Sequence, residues 1–300
     1  TLIKKILYPA LKKHLEQVGE RPGLHKAMSG DIDQITHVEM VDQNPIGKSS
    51  RSNPVTYLKA YDDIRNLFAS TELAKIRGYK AKHFSFNTDG GRCDICKGEG
   101  EVTIEMQFMA DVHLPCEECG GKRFKPEVLE IKFGDKNIAD ILESTIDEAI
   151  EFFKAHKQKK IHTKLQPLQD VGLGYAQVGQ SSSTLSGGEA QRVKLAFFLS
   201  KGDKAGKTLF LFDEPTTGLH FDDVRKLLDA LNALVDMGHS VLVIEHDLDV
   251  INRADHLIEI GPEGGVNGGQ LLFAGPPNEV VQIKNSPTGI AILRTQSTKS

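Results

Sequence analysis

The four cysteines of this 300-residue chain constrain its fold more than any other feature. They are Cys93, Cys96, Cys116 and Cys119, two C-x-x-C steps with nineteen residues between them. That is the ligand spacing of a tetrathiolate zinc site. Four soft thiolates complete a tetrahedron with no open position, so Zn2+ held there is structural rather than catalytic. Gly98, Gly100, Gly120 and Gly121 stand where tight turns must aim the sulfurs inward. Four reduced thiols, or a redox pair, are the alternatives; the confinement of every cysteine to one pair of pairs favours the metal. No cysteine remains for a disulfide elsewhere, which fits a reducing, cytoplasmic setting.

The net charge of −4 excludes a global electrostatic pull towards nucleic acid, so any DNA contact must come from a local patch. No apolar run approaches the roughly 18 residues of a membrane span. The opening TLIKKILYPALKK lacks the apolar core and small-residue cleavage site of a signal peptide, and its lack of Met suggests a piece of a longer or processed chain.

Apolar spacing predicts helices over residues 2–8 and 10–17, interrupted at Pro9, and a strand over 35–41. Tyr57, Tyr61, Ile64 and Phe68 share one helical face. Val102, Ile104, Met106 and Phe108 alternate as in a strand, and VLEIKF (128–133) reads as another. Helical signals run from Ile138 to Phe153, with Thr145 and Glu148 as a capping box for their second half. A helix starts at Ser186. TLFLF (208–212) is short and wholly apolar, as expected of a strand buried on both faces. Then follow a helix carrying Val224, Leu227, Leu228, Leu231 and Leu234, the strand SVLVI (240–244), a short helix and the strand LIEI (257–260). This alternation predicts an α/β fold with a parallel sheet that includes all three strands. The end from about residue 295 reads as a polar, disordered tail.

Three motifs carry chemistry. TLFLFDEPTTGLH ends its strand in Asp213 and Glu214, and ligands bind beyond the carboxyl ends of parallel strands. Asp213 is placed to hold Mg2+, directly or through water, and Glu214 to polarise an attacking water. In STLSGGEAQRVKLA, Ser186, Gly187 and Gly188 precede a helix, where free N–H groups and the helix dipole favour an anion such as a γ-phosphate. Ser186 and Glu189 equally form a capping box that needs no ligand, but two glycines weaken a helix start unless backbone must approach something closely. SVLVIEHD sets His246 just past the next strand, where an imidazole can bond a phosphate or order water. By contrast, Gly47-Lys48-Ser49 is not a phosphate loop. The G-x-x-x-x-G-K-[ST] pattern needs glycine where Asp42 stands, and Pro45 removes a backbone donor.

Leu185-Ser186-Gly187-Gly188-Glu189 resembles the ATP-binding-cassette signature, Asp213-Glu214 the Walker B pair, and His246 the switch histidine. With the cysteine module before the signature, and with GGRCDICKGEGEVTIEMQFMADVHLPCEECGGKRF and ADHLIEIGPEGG, the chain resembles the C-terminal half of the UvrA family of excision-repair ATPases. The resemblance implies an ABC-type cassette, a parallel sheet with flanking helices, split by an inserted α+β signature domain. Residues 1–70 and 181–300 would be the two parts of the cassette, and residues 71–180 the insert, with the zinc module at about 83–125.

The resemblance also implies that Gln43 is the Q-loop residue that senses Mg2+ and the γ-phosphate. Ser186, Gly187 and Gly188 would meet ATP held by another cassette, while Asp213, Glu214 and His246 serve this cassette's own. Homodimerisation, binding of double-stranded damaged DNA, hand-over to UvrB and the absence of a membrane partner follow from the same likeness. In that family the phosphate loop ends just before a helix like TLIKKILYPAL, so weak ATP binding and little hydrolysis are expected of this chain alone. Arg92, Lys97, Lys122, Arg123 and Lys125 form a small basic cluster that could bind DNA phosphates, though Glu99, Glu101, Glu117 and Glu118 dilute it. The basic run 154–164 reads as a solvated helix face. A drug-resistance paralogue of UvrA and a non-enzymatic zinc or DNA-binding module are the rival readings. CDICKGEG resembles one unit of the DnaJ-type zinc domain, which leaves Asp213 and Glu214 without a role.

Overall fold

Leu209, Phe210, Leu211 and Phe212 form an unbroken apolar run, which as a strand needs cover on both faces. The computed structural model, which describes residues 1–47, 51–106, 111–202, 206–265 and 268–297, supplies that cover. Lys48, Ser49 and Phe108 lie outside the described residues.

The first helical turns, Leu2–Leu7, run directly into α1 (Tyr8–Glu16). Pro9 does not interrupt this segment, contrary to the expectation above: it sits in the first turn of α1, where a missing N–H costs least. Strand β1 (His37–Val41) follows. The face made by Tyr61, Ile64 and Phe68 lies on α3 (Ala60–Ala69), preceded by α2 (Pro54–Tyr57) and followed by α4 (Glu72–Ile76).

The cysteine module contains an antiparallel hairpin, β2 (Glu101–Ile104) and β3 (Val112–Pro115), whose residues are exposed on both faces. The alternation at Val102 and Ile104 therefore marks a strand but no buried side. VLEIKF divides into the end of α5 (Pro126–Leu129) and β4 (Lys132–Phe133), because Pro126 starts a helical turn after the extended Lys125. β4 pairs with β5 (Lys136–Asn137). Helices α6 (Ile138–Glu143), α7 (Ile146–Ala155) and α8 (Lys159–Asp170) follow. The box at α7 is formed: Thr145 N–H donates to Glu148 Oε2 at 2.8 Å, and Glu148 N–H to Thr145 Oγ1 at 3.2 Å. In the basic run, Lys160 and Lys164 pair with Asp63 of α3 at 2.7 and 2.6 Å.

Helix α9 (Gly187–Lys201) leads to β6 (Thr208–Asp213), α10 (Phe221–Asp236), β7 (Ser240–Ile244) and α11 (Leu248–Arg253). The sheet order is β1-β6-β7, all parallel. Strand alternation divides the cover of β6. Phe210 and Phe212 enter the main core, whereas Leu211 packs with Val38 and Leu11 of α1 on the opposite face. That main core runs without a break from Val41 through Phe68, Ile141, Phe153 and Leu165 to Leu234, so α3, α6, α7 and α8 share one hydrophobic interior with the sheet.

Two features differ from expectation. LIEI belongs to β8 (Leu257–Gly261), which pairs antiparallel with β9 (Gln270–Gly275) in a separate sheet. A run of four apolar or acidic residues does not encode the direction of its partner. Second, α12 (Pro287–Ser297) extends into the segment read as a tail. Its start is anchored by Glu259 of β8, which accepts from Ser286 Oγ and from Thr288 N–H at 2.9 Å.

Candidate functional site

Parallel pairing brings strand ends together. Val41 lies opposite Phe212, and Asp213 opposite Ile244, so the loops after β1, β6 and β7 leave the same edge. Gln43, Glu214 and His246 are therefore neighbours by topology although about 200 residues separate the first from the last. The edge opens into a groove of about 690 Å³ lined by Lys4, Tyr8, Asp42, Gln43, Asp213 and Glu214, among others. A smaller space of about 440 Å³ lies at the amino ends of β6 and β7, and none of the expected site residues lines it.

Glu214 adopts φ +47°, a left-handed conformation that costs a residue with a side chain about 1–2 kcal/mol. Three contacts hold it. Its N–H donates to Ile244 O at 2.8 Å, and its carbonyl accepts from Thr217 N–H at 3.2 Å and Gln43 Nε2 at 3.4 Å. Beside it, the Asp213 carboxylate pairs with the Lys4 ammonium. A cation thus already stands on the carboxylate expected to hold Mg2+. The acidic groove edge has the donor chemistry that a hard metal requires.

The signature turn meets this edge. Ser186 caps α9, accepting from Glu189 N–H at 3.2 Å while Glu189 Oε2 accepts from Ser186 N–H at 2.7 Å. Burial pushes the Glu189 carboxyl up, but hydrogen bonds from Tyr175 and Ser186 outweigh it and hold the group below its ordinary range. Gly187 lies against Gln43, and a Cβ on Gly188 would stand 2.9 Å from Thr217 O. Further along α9, Gln191 Nε2 donates to Val41 O at 2.7 Å and Lys194 Nζ to Asp42 O at 3.0 Å. Lys194 also pairs with the Asp42 carboxylate. The helix that begins at the signature is bolted to the loop that carries Gln43.

The His246 side chain is 82% exposed, whereas that of its neighbour Glu245 is 2% exposed. Lys4, Gln191, Lys194 and Glu245 carry no motif and were not singled out in the sequence. Only the three-residue spacing of Gln191 and Lys194, which places them on one side of α9, offered a signal.

The cysteine sulfurs all lie within 4.8 Å of one another. Cys93 and Cys116 sulfurs are 3.9 Å apart and those of Cys96 and Cys119 3.7 Å. A tetrahedron with zinc–sulfur bonds of about 2.3 Å has edges of about 3.8 Å, so the four fit Zn2+, and they are too far apart for disulfides. All four are buried. Burial raises the Cys93 thiol and pushes Cys119 up to about 12. The glycines have steric reasons: at Gly98 (φ +87°) a Cβ would stand 2.0 Å from Phe86 O, and at Gly100 (φ +82°) 2.7 Å from Gly121 O.

The ABC transporter family model matches residues 97–217. Over 289 residues, 96% of this chain, the sequence is 54% identical to UvrABC system protein A of Clostridium acetobutylicum. The same protein of Streptococcus pyogenes is 53% identical and that of Staphylococcus aureus 52%. UvrA2 from Deinococcus radiodurans superposes with a TM-score of 0.81 at 47% identity, over 89% of this chain and 32% of that one. Along nearly its whole length the chain is similar to one part of UvrABC system protein A. It spans about 30% of the length of the curated relatives it matches.

The five basic residues near the cysteine module divide. Arg92 donates Nε to Asp89 at 2.9 Å and Nη1 to Lys97 O at 3.1 Å, and Lys125 pairs with Asp94 at 2.7 Å. Arg123 sits over the Phe86 ring at 5.7 Å. Lys97 and Lys122 are exposed. Among the described residues, no helix is long and apolar enough to cross a membrane.

Proposed function

We propose that this segment forms an ATP-hydrolysing ABC cassette of a UvrA-type damage-recognition protein in nucleotide excision repair. The observation that carries the reading is the junction of Asp213 and Glu214 with Gln43 at one groove edge, with the signature turn packed beside it. Bound Mg2+ and ATP supply the phosphoryl group and its metal charge. Asp213 would hold the metal once Lys4 gives way, and Glu214 would polarise the water. His246 orders that water or a phosphate oxygen. Gln43 relays occupancy to α9 through Gly187, and Ser186, Gly187 and Gly188 offer backbone donors to a γ-phosphate from another cassette. No G-x-x-x-x-G-K-[ST] loop occurs in these 300 residues, so little turnover is expected of them by themselves.

The cysteine module holds structural Zn2+, and residues 71–180 act as the insert that couples the cassette to DNA. Exposed Lys97 and Lys122, with Arg123, would bind phosphates of damaged double-stranded DNA, while Arg92 and Lys125 shape the module. Homodimerisation and hand-over to UvrB complete the reading for the whole protein, which works in the cytoplasm. The 54% identity to proteins named UvrABC system protein A favours repair over a drug-resistance role.

The test is ATP hydrolysis, with and without damaged DNA, by a full-length UvrA polypeptide carrying this segment and by its Glu214→Gln variant. Loss of turnover of at least about tenfold, with nucleotide binding retained, is expected. Equal turnover by parent and variant would remove Glu214 from the chemistry.

A further inference from the structure

Glu245 follows β7 directly and has no part in the chemistry above, yet its side chain is among the most buried acids of the fold at 2% exposure. Four donors converge on it. Oε1 accepts from Thr216 N–H at 2.8 Å and from Thr216 Oγ1, while Oε2 accepts from His246 N–H at 2.9 Å and Asp247 N–H at 3.2 Å. Thr216 lies two residues past Glu214, in the turn after β6, whereas His246 and Asp247 belong to the loop after β7. One carboxylate therefore ties together the two loops that carry the expected base and the expected switch residue. Among the described residues, the only basic side chain in reach of it is that of His246, at 3.9 Å.

We infer that Glu245 is a positioning residue for ATP hydrolysis, fixing the spacing between the Glu214 turn and the His246 loop. The inference rests on the reading that Glu214 and His246 serve a bound nucleotide. The chemistry of the tie requires a carboxylate. An ionised carboxyl group is acceptor-only, whereas an amide of the same shape presents two N–H donors in place of one oxygen. In Glu245→Gln the amide nitrogen would face either Thr216 or the His246 and Asp247 amides, so one loop is released while the volume is conserved. Glu245 does not act as the base itself, because both its oxygens already receive two donors and it is shut off from water.

The test compares ATP hydrolysis by full-length UvrA polypeptides carrying the parent sequence, Glu245→Gln, Thr216→Val and Thr216→Ser. Glu245→Gln is expected to lower kcat at least tenfold while KM for ATP and zinc content stay within twofold. Thr216→Ser, which keeps the hydroxyl, should retain more activity than Thr216→Val. In nucleotide-free protein, Glu245→Gln should speed amide exchange either at Thr216 or at His246 and Asp247, and leave Leu211 and Phe212 protected. An active parent with a Glu245→Gln variant of unchanged kcat, or with only KM altered, overturns the inference. Unchanged exchange at all three of Thr216, His246 and Asp247 does the same. A parent without ATPase activity overturns instead the functional reading beneath it.

Discussion

Gly187 lies against Gln43: a Cβ built on the glycine would stand 3.0 Å from both Cβ and Oε1 of the glutamine. The first residue of α9 and the proposed sensor of the nucleotide's metal are thus packed against one another within one chain. Gly187→Ala should add a few tenths to about 1 kcal/mol of helix propensity and offset it with this close contact. Thermal stability should change little while ATP turnover by the full-length protein falls at least about tenfold. Calorimetry and steady-state kinetics on the same preparations check both halves.

The Asp42–Lys194 pair gives the Gln43 loop a dependence on acid. Burial pushes the Asp42 carboxyl up, but the Lys194 hydrogen bond and charge, aided by Asn44, bring it below its ordinary range. A carboxylate depressed in the folded state contributes stability above its unfolded value of about 3.9, lost as pH falls through the folded value. Urea midpoints should therefore be insensitive to this pair from pH 5 to 7 and should drop below about pH 4. Asp42→Asn should flatten that part of the decline. With Asp42 35% exposed, the effect is about 1 kcal/mol or less.

The sulfur geometry predicts about one zinc per chain by metal analysis. Cys96→Ser should bring this close to zero and release the hydrogen bond from Gly100 N–H to Cys96 Sγ, now 3.3 Å. Amide exchange across residues 93–119 should quicken strongly, while β6 stays protected. A variant that retains full metal would count against the tetrathiolate assignment.

Phe153 of α7 is fully buried in the core that α3, α6, α7 and α8 share with the sheet. Phe153→Ala should cost about 3–5 kcal/mol in denaturant unfolding. Because that core is shared, fluorescence or exchange probes on α3 and on α10 should lose protection together.

Much of the site was legible because it is local. Cysteine spacing, the Ser186 cap, the apolar run ending in Asp213 and the histidine after β7 are each written in a few consecutive residues, and the structure clusters the four sulfurs, forms the cap and buries the run in a strand. Elements with strong periodicity, such as α3, α7 and α10, were equally plain. Two misreadings, Pro9 as a break and VLEIKF as one strand, are local effects of proline; the others concern partners far away in sequence. LIEI was assigned to the parallel layer because its own letters cannot encode pairing with Gln270–Gly275. The last residues of α12, from about 295, were read as a tail, and the start of that helix is anchored by Glu259, 27 residues before Ser286.

The sequence by itself determined the likeness to UvrA, the clustering of four cysteines and the candidate groups for phosphoryl chemistry, since spacing and residue type suffice for these. Only tertiary structure decided that Lys4 stands on Asp213, that Gln191 and Lys194 fasten the signature helix to the Gln43 loop, and that Glu245 joins two loops. The physical reason is that a buried hydrogen-bond partner is chosen by three-dimensional proximity, and the parallel pairing of β1, β6 and β7 creates that proximity between segments the chain itself keeps far apart.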